Sequence, residues 1–424
     1  MSRVPQRGSA LLLILLLSGT VLATALLAAK LKRNDETQRE QKTLIALNKA
    51  KATLVAWSVA RIEDTGTLVA ESPGELPCPS PYAPGTPEEG QANPNNCQHG
   101  AIGLLPWRQL GSERIVDGWG QPLWYALDNA FKVRRNANEL RRVNSDSRPS
   151  LLVYAADGQT LLTPPGEEAA AVIFSSGPPL AGQVRTAHTP GTHIDAAILS
   201  THLDSAHGRN NAAQGGPFIA GPVIANRGAP AETSRLNDRL LILGGRELLD
   251  AVAPRIAAAV RSALAARLQE TGSYPRPALI TTPGCRDNDP ATPCLPSASA
   301  CRGILPADVP AGSWLPAWFR ENQWNRAIYY ALGGGECAAS PIHLAAAPGW
   351  PAQNHVPALF ILPGAALGSA ARLNPPQPPY ATNSLASTRL ADYLEQNQSG
   401  WTLPDQSVFV RPGPGSNDRL YTLP

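Results

Sequence analysis

Charge is scarce in this 424-residue chain: Asp, Glu, Lys and Arg make up 16% of it, against about 25% in a typical soluble domain. Lysine is rarest among them, with six residues and none after Lys132. The net charge of +3 argues against a general nucleic-acid binder, which carries a strong basic excess. Several chemical signatures are also missing. There is no Gly-x-Ser-x-Gly, no His-Glu-x-x-His, no phosphate loop ending in Lys-Ser/Thr and no dinucleotide-binding glycine pattern. His188 and His193 are five residues apart, as are His202 and His207, so neither pair shares a helix face at i, i+4. The six cysteines include no Cys-x2-Cys pair, which removes the usual zinc spacing. Asp287, Asn288 and Asp289 sit in a loop without the Gly and Glu of a calcium-binding EF-hand. They read as a turn. No catalytic residue, metal or cofactor is expected.

What is present begins with residues 9–29, which carry no charge. Twenty-one helical residues rise about 31 Å, matching the ~30 Å hydrocarbon core of a bilayer. Arg3 and Arg7 precede the run, and Lys30, Lys32 and Arg33 follow it. It is longer than the apolar part of a cleaved secretory signal, so a transmembrane helix is expected. From Gln38 to Ile62 there is no Gly or Pro, and Leu44, Leu47, Ala50, Leu54 and Trp57 recur at three- and four-residue spacing. That spacing predicts an amphipathic helix able to pack on a sheet, closed by Thr65-Gly66.

The chain also repeats itself. RIEDTGTL (61–68) matches RLQETGSY (267–274), GLLP (103–106) matches GILP (303–306), and WGQPLWYAL (119–127) matches WNRAIYYAL (324–332). VIFSSGPPLAGQVR (172–185) then matches LFILPGAALGSAAR (359–372), and NDRLLIL (237–243) matches NDRLYTL (417–423). Five blocks in one order predict two tandem modules, 30–243 and 244–424, each an α+β unit with a helix packed on an antiparallel sheet. The second would open with a helix over 246–268 carrying Pro254 in its first turn, and would fold alone. Cys78 and Cys97 fall in the first module and pair by elimination. Cys285, Cys294, Cys301 and Cys337 fall in the second, where three connectivities stay open.

The block DGWGQPLWYAL (117–127) is the most informative. Gly120 permits a positive φ, as would its counterpart Asn325. Pro122 should open a strand. Along that strand Trp124 and Ala126 would face one side, and Leu123, Tyr125 and Leu127 the other.

QRGSALLLILLL (6–17), together with Asp117, Trp119, Gly120, Pro122 and Tyr125, resembles type IV pilins and type II secretion pseudopilins. The resemblance implies a leader over residues 1–8, cut between Gly8 and Ser9 by prepilin peptidase, and a transmembrane helix over 9–29. It implies a single-pass protein of the bacterial inner membrane with its modules in the periplasm, where disulfides form. Its partners would be the inner membrane and other pilin or pseudopilin subunits, met through the N-terminal helix, with no nucleic acid expected. The fifth mature position holds Leu13 where the family usually has Glu. The family's tip pseudopilin also lacks that Glu, so a minor or tip subunit, without catalytic activity, is the function implied. The rival readings are an anchored periplasmic adhesin or DNA-binding module using the basic segment 131–148, and an anchored hydrolase.

Overall fold

A computed structural model of the chain describes residues 8–61, 73–93, 97–98, 100–133, 143–221, 223–224, 235–279, 294–309, 312–367, 393–394, 408–413 and 415–424. Helix α1 is one unbroken run of 53 residues, Gly8–Ala60, about 80 Å at 1.5 Å per residue. Its side chains are described at Thr24 and from Leu26 onward. Thr43, Ala46, Leu47, Ala50, Leu54 and Ser58 are buried, an i, i+3, i+4 stripe that meets the rest of the protein. Leu44, expected on that stripe, is 54% exposed, and the neighbouring Thr43 is buried instead.

Eight strands form two four-stranded antiparallel meanders, and shorter strands pair two by two around them. The first is β1 (Ile102–Leu104), β2 (Leu123–Leu127), β3 (Ala169–Ser175) and β4 (Arg239–Gly244), in that spatial order. Helix α2 (Ala196–His202) lies between β3 and β4, and α3 (Gly245–Thr271) follows β4 directly. The second meander is β5 (Arg302–Ile304), β6 (Tyr329–Leu332), β7 (Ala358–Leu362) and β8 (Arg419–Leu423). Two short helices, α4 (Ala317–Glu321) and α5 (Trp324–Ala327), precede β6. The repeated blocks GLLP/GILP, WYAL/YYAL, VIFS/LFIL and NDRLLIL/NDRLYTL supply β1 and β5, β2 and β6, β3 and β7, β4 and β8. Register repeats with them: Tyr125 pairs with Gly103, and Tyr330 with Gly303.

Strand alternation sorts β2 as its sequence requires. Leu123, Tyr125 and Leu127 face the helices, while Trp124 and Ala126 face the other way, among Leu151, Val153, Leu199 and Phe218. The helix side is one continuous apolar cluster. It holds the inward stripe of α1, Leu249, Val252, Ile256, Val260 and Leu264 of α3, and the helix-facing side chains of both meanders. The two repeats therefore share a core, where the sequence suggested two self-sufficient modules.

Three further expectations change. Among the described residues no helix is long and apolar enough to cross a membrane. The apolar residues of α1 with described side chains are interleaved with Lys30, Lys32, Arg33, Asp35 and Glu36, or are spent on the protein's own core at 46, 47, 50 and 54. The transmembrane helix over 9–29 and the single-pass inner-membrane placement are accordingly set aside. Pro254 lies inside α3, well past its first turn. It leaves the carbonyl of Asp250, four residues earlier, without an intrahelical donor, and Arg419 Nη2 lies 3.5 Å from that oxygen. Asn325 takes a helical place in α5, and the positive φ of that segment, 59°, falls on Gln323. Gly272 closes α3 in the left-handed conformation, its N–H reaching Leu268 O at 2.8 Å, as the Thr-Gly block predicts.

Asn322 ties the repeats together. It is fully buried, accepts from Val143 N at 3.0 Å through Oδ1, and donates to Trp318 O at 2.7 Å. Its own carbonyl accepts from Asn144 Nδ2 at 2.8 Å. Replacing Asn322 by Ala strands the buried Val143 N–H, so urea unfolding should show a loss of about 1–3 kcal/mol in a single transition. A loss confined to one of two separable transitions would contradict the shared core.

Candidate functional site

The site is built where α1 leaves the body. The 117–122 turn lies against the helix at Arg39 and Thr43. Gly118 N donates to Thr43 Oγ1 at 3.0 Å, and Thr43 in turn donates to Arg39 O at 2.9 Å. A Cβ on residue 118 would collide with the Arg39 carbonyl, so only glycine lets turn and helix approach this closely. Asp117 shapes the turn: Oδ1 accepts from Trp119 N at 2.8 Å and Gln121 N at 2.9 Å, and Oδ2 accepts from Ser175 Oγ at 2.7 Å. Gly120 has φ +78°. Pro122 bridges Val116 and leads into β2. Trp119 is half-buried beside the turn. Tyr125 is fully buried on the helix side, and burial pushes its phenol well above the usual value of 10. Tyr330 occupies the matching place in β6 with the same shift.

A second contact set comes from the repeated Asn-Asp-Arg. Arg239 holds Glu40 of α1 at two points, Nη2–Oε1 2.6 Å and Nε–Oε2 3.0 Å. Arg419 holds Asp250 of α3, Nη2–Oδ1 3.0 Å. The preceding Asn also repeats its role: Asn237 Nδ2 donates to Pro178 O at 2.5 Å, and Asn417 Nδ2 to Ala365 O at 2.7 Å. Each trio thus fastens the last strand to a helix on one side and to the turn after the third strand on the other. Lys51 adds a further link, donating to Ile242 O at 2.8 Å and pairing with Glu247 at 2.7 Å.

In the first repeat the middle Asp of the trio belongs to a buried polar cluster. Asp238 Oδ2 accepts from Asp204 N at 2.8 Å and Asn211 Nδ2 at 2.9 Å, while Oδ1 has no hydrogen-bond partner. Asp204 accepts from Asn237 N and Gln183 Nε2, both at 2.8 Å. Arg185 donates to Gly177 O at 2.8 Å and Thr201 O at 3.1 Å. Burial, with the charge of Asp204 second, pushes the Asp238 carboxyl up to about 8. Burial also raises Asp204 and lowers Arg185, whose charge the nearby Asp204, Asp238 and Asp117 help to keep. His202 packs its ring 5.0 Å from that of Trp124, and burial lowers it to about 4. Apart from Asp238 Oδ1, the polar atoms named here are spent on the protein's own backbone and on neighbouring side chains. The arrangement fixes shape.

Gly8 and Ser9 are the first two residues of α1, and their side chains lie outside the described residues. So do Asp287, Asn288 and Asp289, and residues 134–142 of the basic segment. Cys78 is bonded to Cys97, and Cys301 to Cys337, which selects among the connectivities left open. Cys294 is also disulfide-bonded, and Cys285 lies outside the described residues. Among the described residues no three or more His, Cys, Asp or Glu are grouped to hold a metal. Sequence reasoning singled out the 117–125 motif but passed over Thr43, Gly118, Glu40, Arg239 and Asp238. The signal was there in the repeated NDRL, read only as one of the five recurring blocks. No protein-family model matches the chain, and neither does any curated protein or solved structure.

The cluster sets a pH dependence. The folded chain protonates Asp238 up to about pH 8, whereas the unfolded chain releases that proton near pH 4. Between those values the folded state binds more protons, so stability falls as pH rises. His202 acts oppositely: neutral down to about pH 4 when folded and to about 6.5 when unfolded, it costs stability only below 6.5. Above pH 6.5 the His202 effect is spent, and the raised carboxyls of Asp238 and its neighbour Asp204 set the slope up to about pH 8. The urea midpoint should fall across that range, and Asp238→Asn should flatten the slope. The same slope in wild type and variant would contradict the assignment.

Proposed function

We propose that this chain is a non-catalytic assembly subunit, pilin- or pseudopilin-like, of the minor or tip type in a type IV pilus or type II secretion pseudopilus. One observation carries the reading: α1 is a single long helix whose later half is built into the core while residues 26–38 are exposed to solvent. Thr24 is exposed as well, and burial begins at the contacts with the 117–122 turn and Arg239. Leu27, Leu31 and Ile45 lie at spacings of four and fourteen residues, on one helix face, and are 59%, 61% and 68% exposed. Exposed leucines on a rigid helix offer other helices an apolar seam, each worth about 1.5–3 kcal/mol when covered. The contacts at Glu40 and Thr43 supply the stiffness that such a joint needs. The disulfides fit assembly in an oxidising compartment.

The subunit would meet prepilin peptidase before assembly, at Gly8–Ser9. Intact-mass analysis of the native protein should show the loss of eight residues, and Gly8→Asp should block it. A photo-crosslinker placed at Leu31 in the producing cell should capture the N-terminal helices of other pilin-type subunits. An N-terminus near Lys30, or adducts only with unrelated proteins, would overturn the reading.

A further inference from the structure

The two described disulfides sit in different chemical settings. Cys78, Cys97 and Cys337 are 0%, 4% and 1% exposed and all belong to the shared core, so what separates the two bonds is the cleft and the cation beside the second. Cys337 ends a short 3-10 turn, Gly335–Cys337, after β6. It lines a cleft of about 470 Å³ together with Tyr274, Pro275, Arg276, Ser297 and Glu336, large enough for a small-molecule ligand. Its partner Cys301, just before β5, is half-buried. Arg276 reaches across the bond: Nη1 lies 3.8 Å from Cys301 Sγ and 3.7 Å from Cys337 Sγ. The rest of that guanidinium is occupied by Glu336, which accepts from Nε at 2.9 Å and Nη2 at 2.5 Å. One N–H corner of a fixed cation therefore faces the sulfurs at the wall of an open cleft. A cation beside a sulfur stabilises its thiolate, and a better-stabilised thiolate leaves faster.

We propose that Cys301–Cys337 is a thiol–disulfide exchange site, opened by a thiol that enters this cleft, with Arg276 receiving the departing thiolate. The incoming thiolate attacks Cys337 Sγ, which lines the cleft, and forms a mixed disulfide, while the electron pair of the broken bond leaves on Cys301 Sγ beside Arg276. A second thiolate then attacks the incoming sulfur of the mixed disulfide and releases Cys337 as thiolate. Two external thiols become one disulfide. Cys301 and Cys337 take up two electrons, and the two protons of the external thiols end on them or in solvent. Arg276 is here a positioning residue, and Glu336 tempers its charge.

The test uses the full chain with reduced glutathione as the thiol, quenched by alkylation and read cysteine by cysteine by peptide mass. Cys301 and Cys337 should become alkylated together while Cys78 and Cys97 stay bonded and the circular dichroism is unchanged. Arg276→Gln should slow the opening by roughly three- to tenfold, given the leaving-group dependence of exchange. Glu336→Gln, which frees the guanidinium and removes a negative charge next to Cys337, should speed it. The opposite signs separate thiolate stabilisation from general loosening, which would speed both. Opening of Cys301–Cys337 only together with Cys78–Cys97 overturns the proposal, as do rates that neither substitution changes or that both increase.

Discussion

The inner strands of both meanders are buried on both faces, and the rest of the structure answers to that constraint. Every residue of β2, β3, β6 and β7 is buried. A doubly buried antiparallel sheet needs cover on each side. On the outer faces the cover is loops, short strands and, in the first repeat, α2: Phe218 and Leu199 lie there, and Phe409 and Ile342 in the second repeat. On the inner faces it is helix. Because α1 and α3 pack on each other as well as on β3 and β4, the two inner faces join into one core.

The last strand of each meander is half-exposed, and there the helices are held by charge. Arg239 and Arg419 begin these strands and each grips an acid on a helix. Partly exposed ion pairs of this kind contribute modestly to stability, on the order of 1 kcal/mol or less. Their greater consequence is geometric. The two-point grip of Arg239 on Glu40, with Thr43 against Gly118, fixes the angle at which α1 departs. The proposed assembly role depends on that angle. Asp250 shows how the device tolerates Pro254: the arginine that pairs with the carboxylate also approaches the carbonyl that the proline orphans.

Much of the fold was legible because repetition carried it. Four of the five blocks that recur in order supply the strands, and the alternation in LWYAL assigned its faces correctly. Local chemistry was legible where one residue decides it, as at Gly272 and Gly120. Long-range facts were not. Nothing in the spacing of Leu44 and Leu47 says that Thr43 will be drawn inward by a turn 75 residues away. Pro254 looked like a first-turn proline because its compensating arginine lies 165 positions further on. The apolar run over 9–29 reads as a membrane span by length alone, whereas among the described residues no helix is long and apolar enough to cross a membrane. A shared core leaves no periodicity of its own, since each helix shows the same stripe whether it covers one sheet or two. The candidate site was half-visible: the turn motif stood out, but its counterpart Arg239 was hidden in a block that also had a structural explanation.

Native-state hydrogen exchange addresses the central claim most directly, that both repeats form one cooperative body around α1 and α3. The slowest amides of β2 and β3 should report the same opening free energy as those of β6 and β7, equal to the global unfolding free energy. Two distinct plateaus, one for each meander, would contradict it.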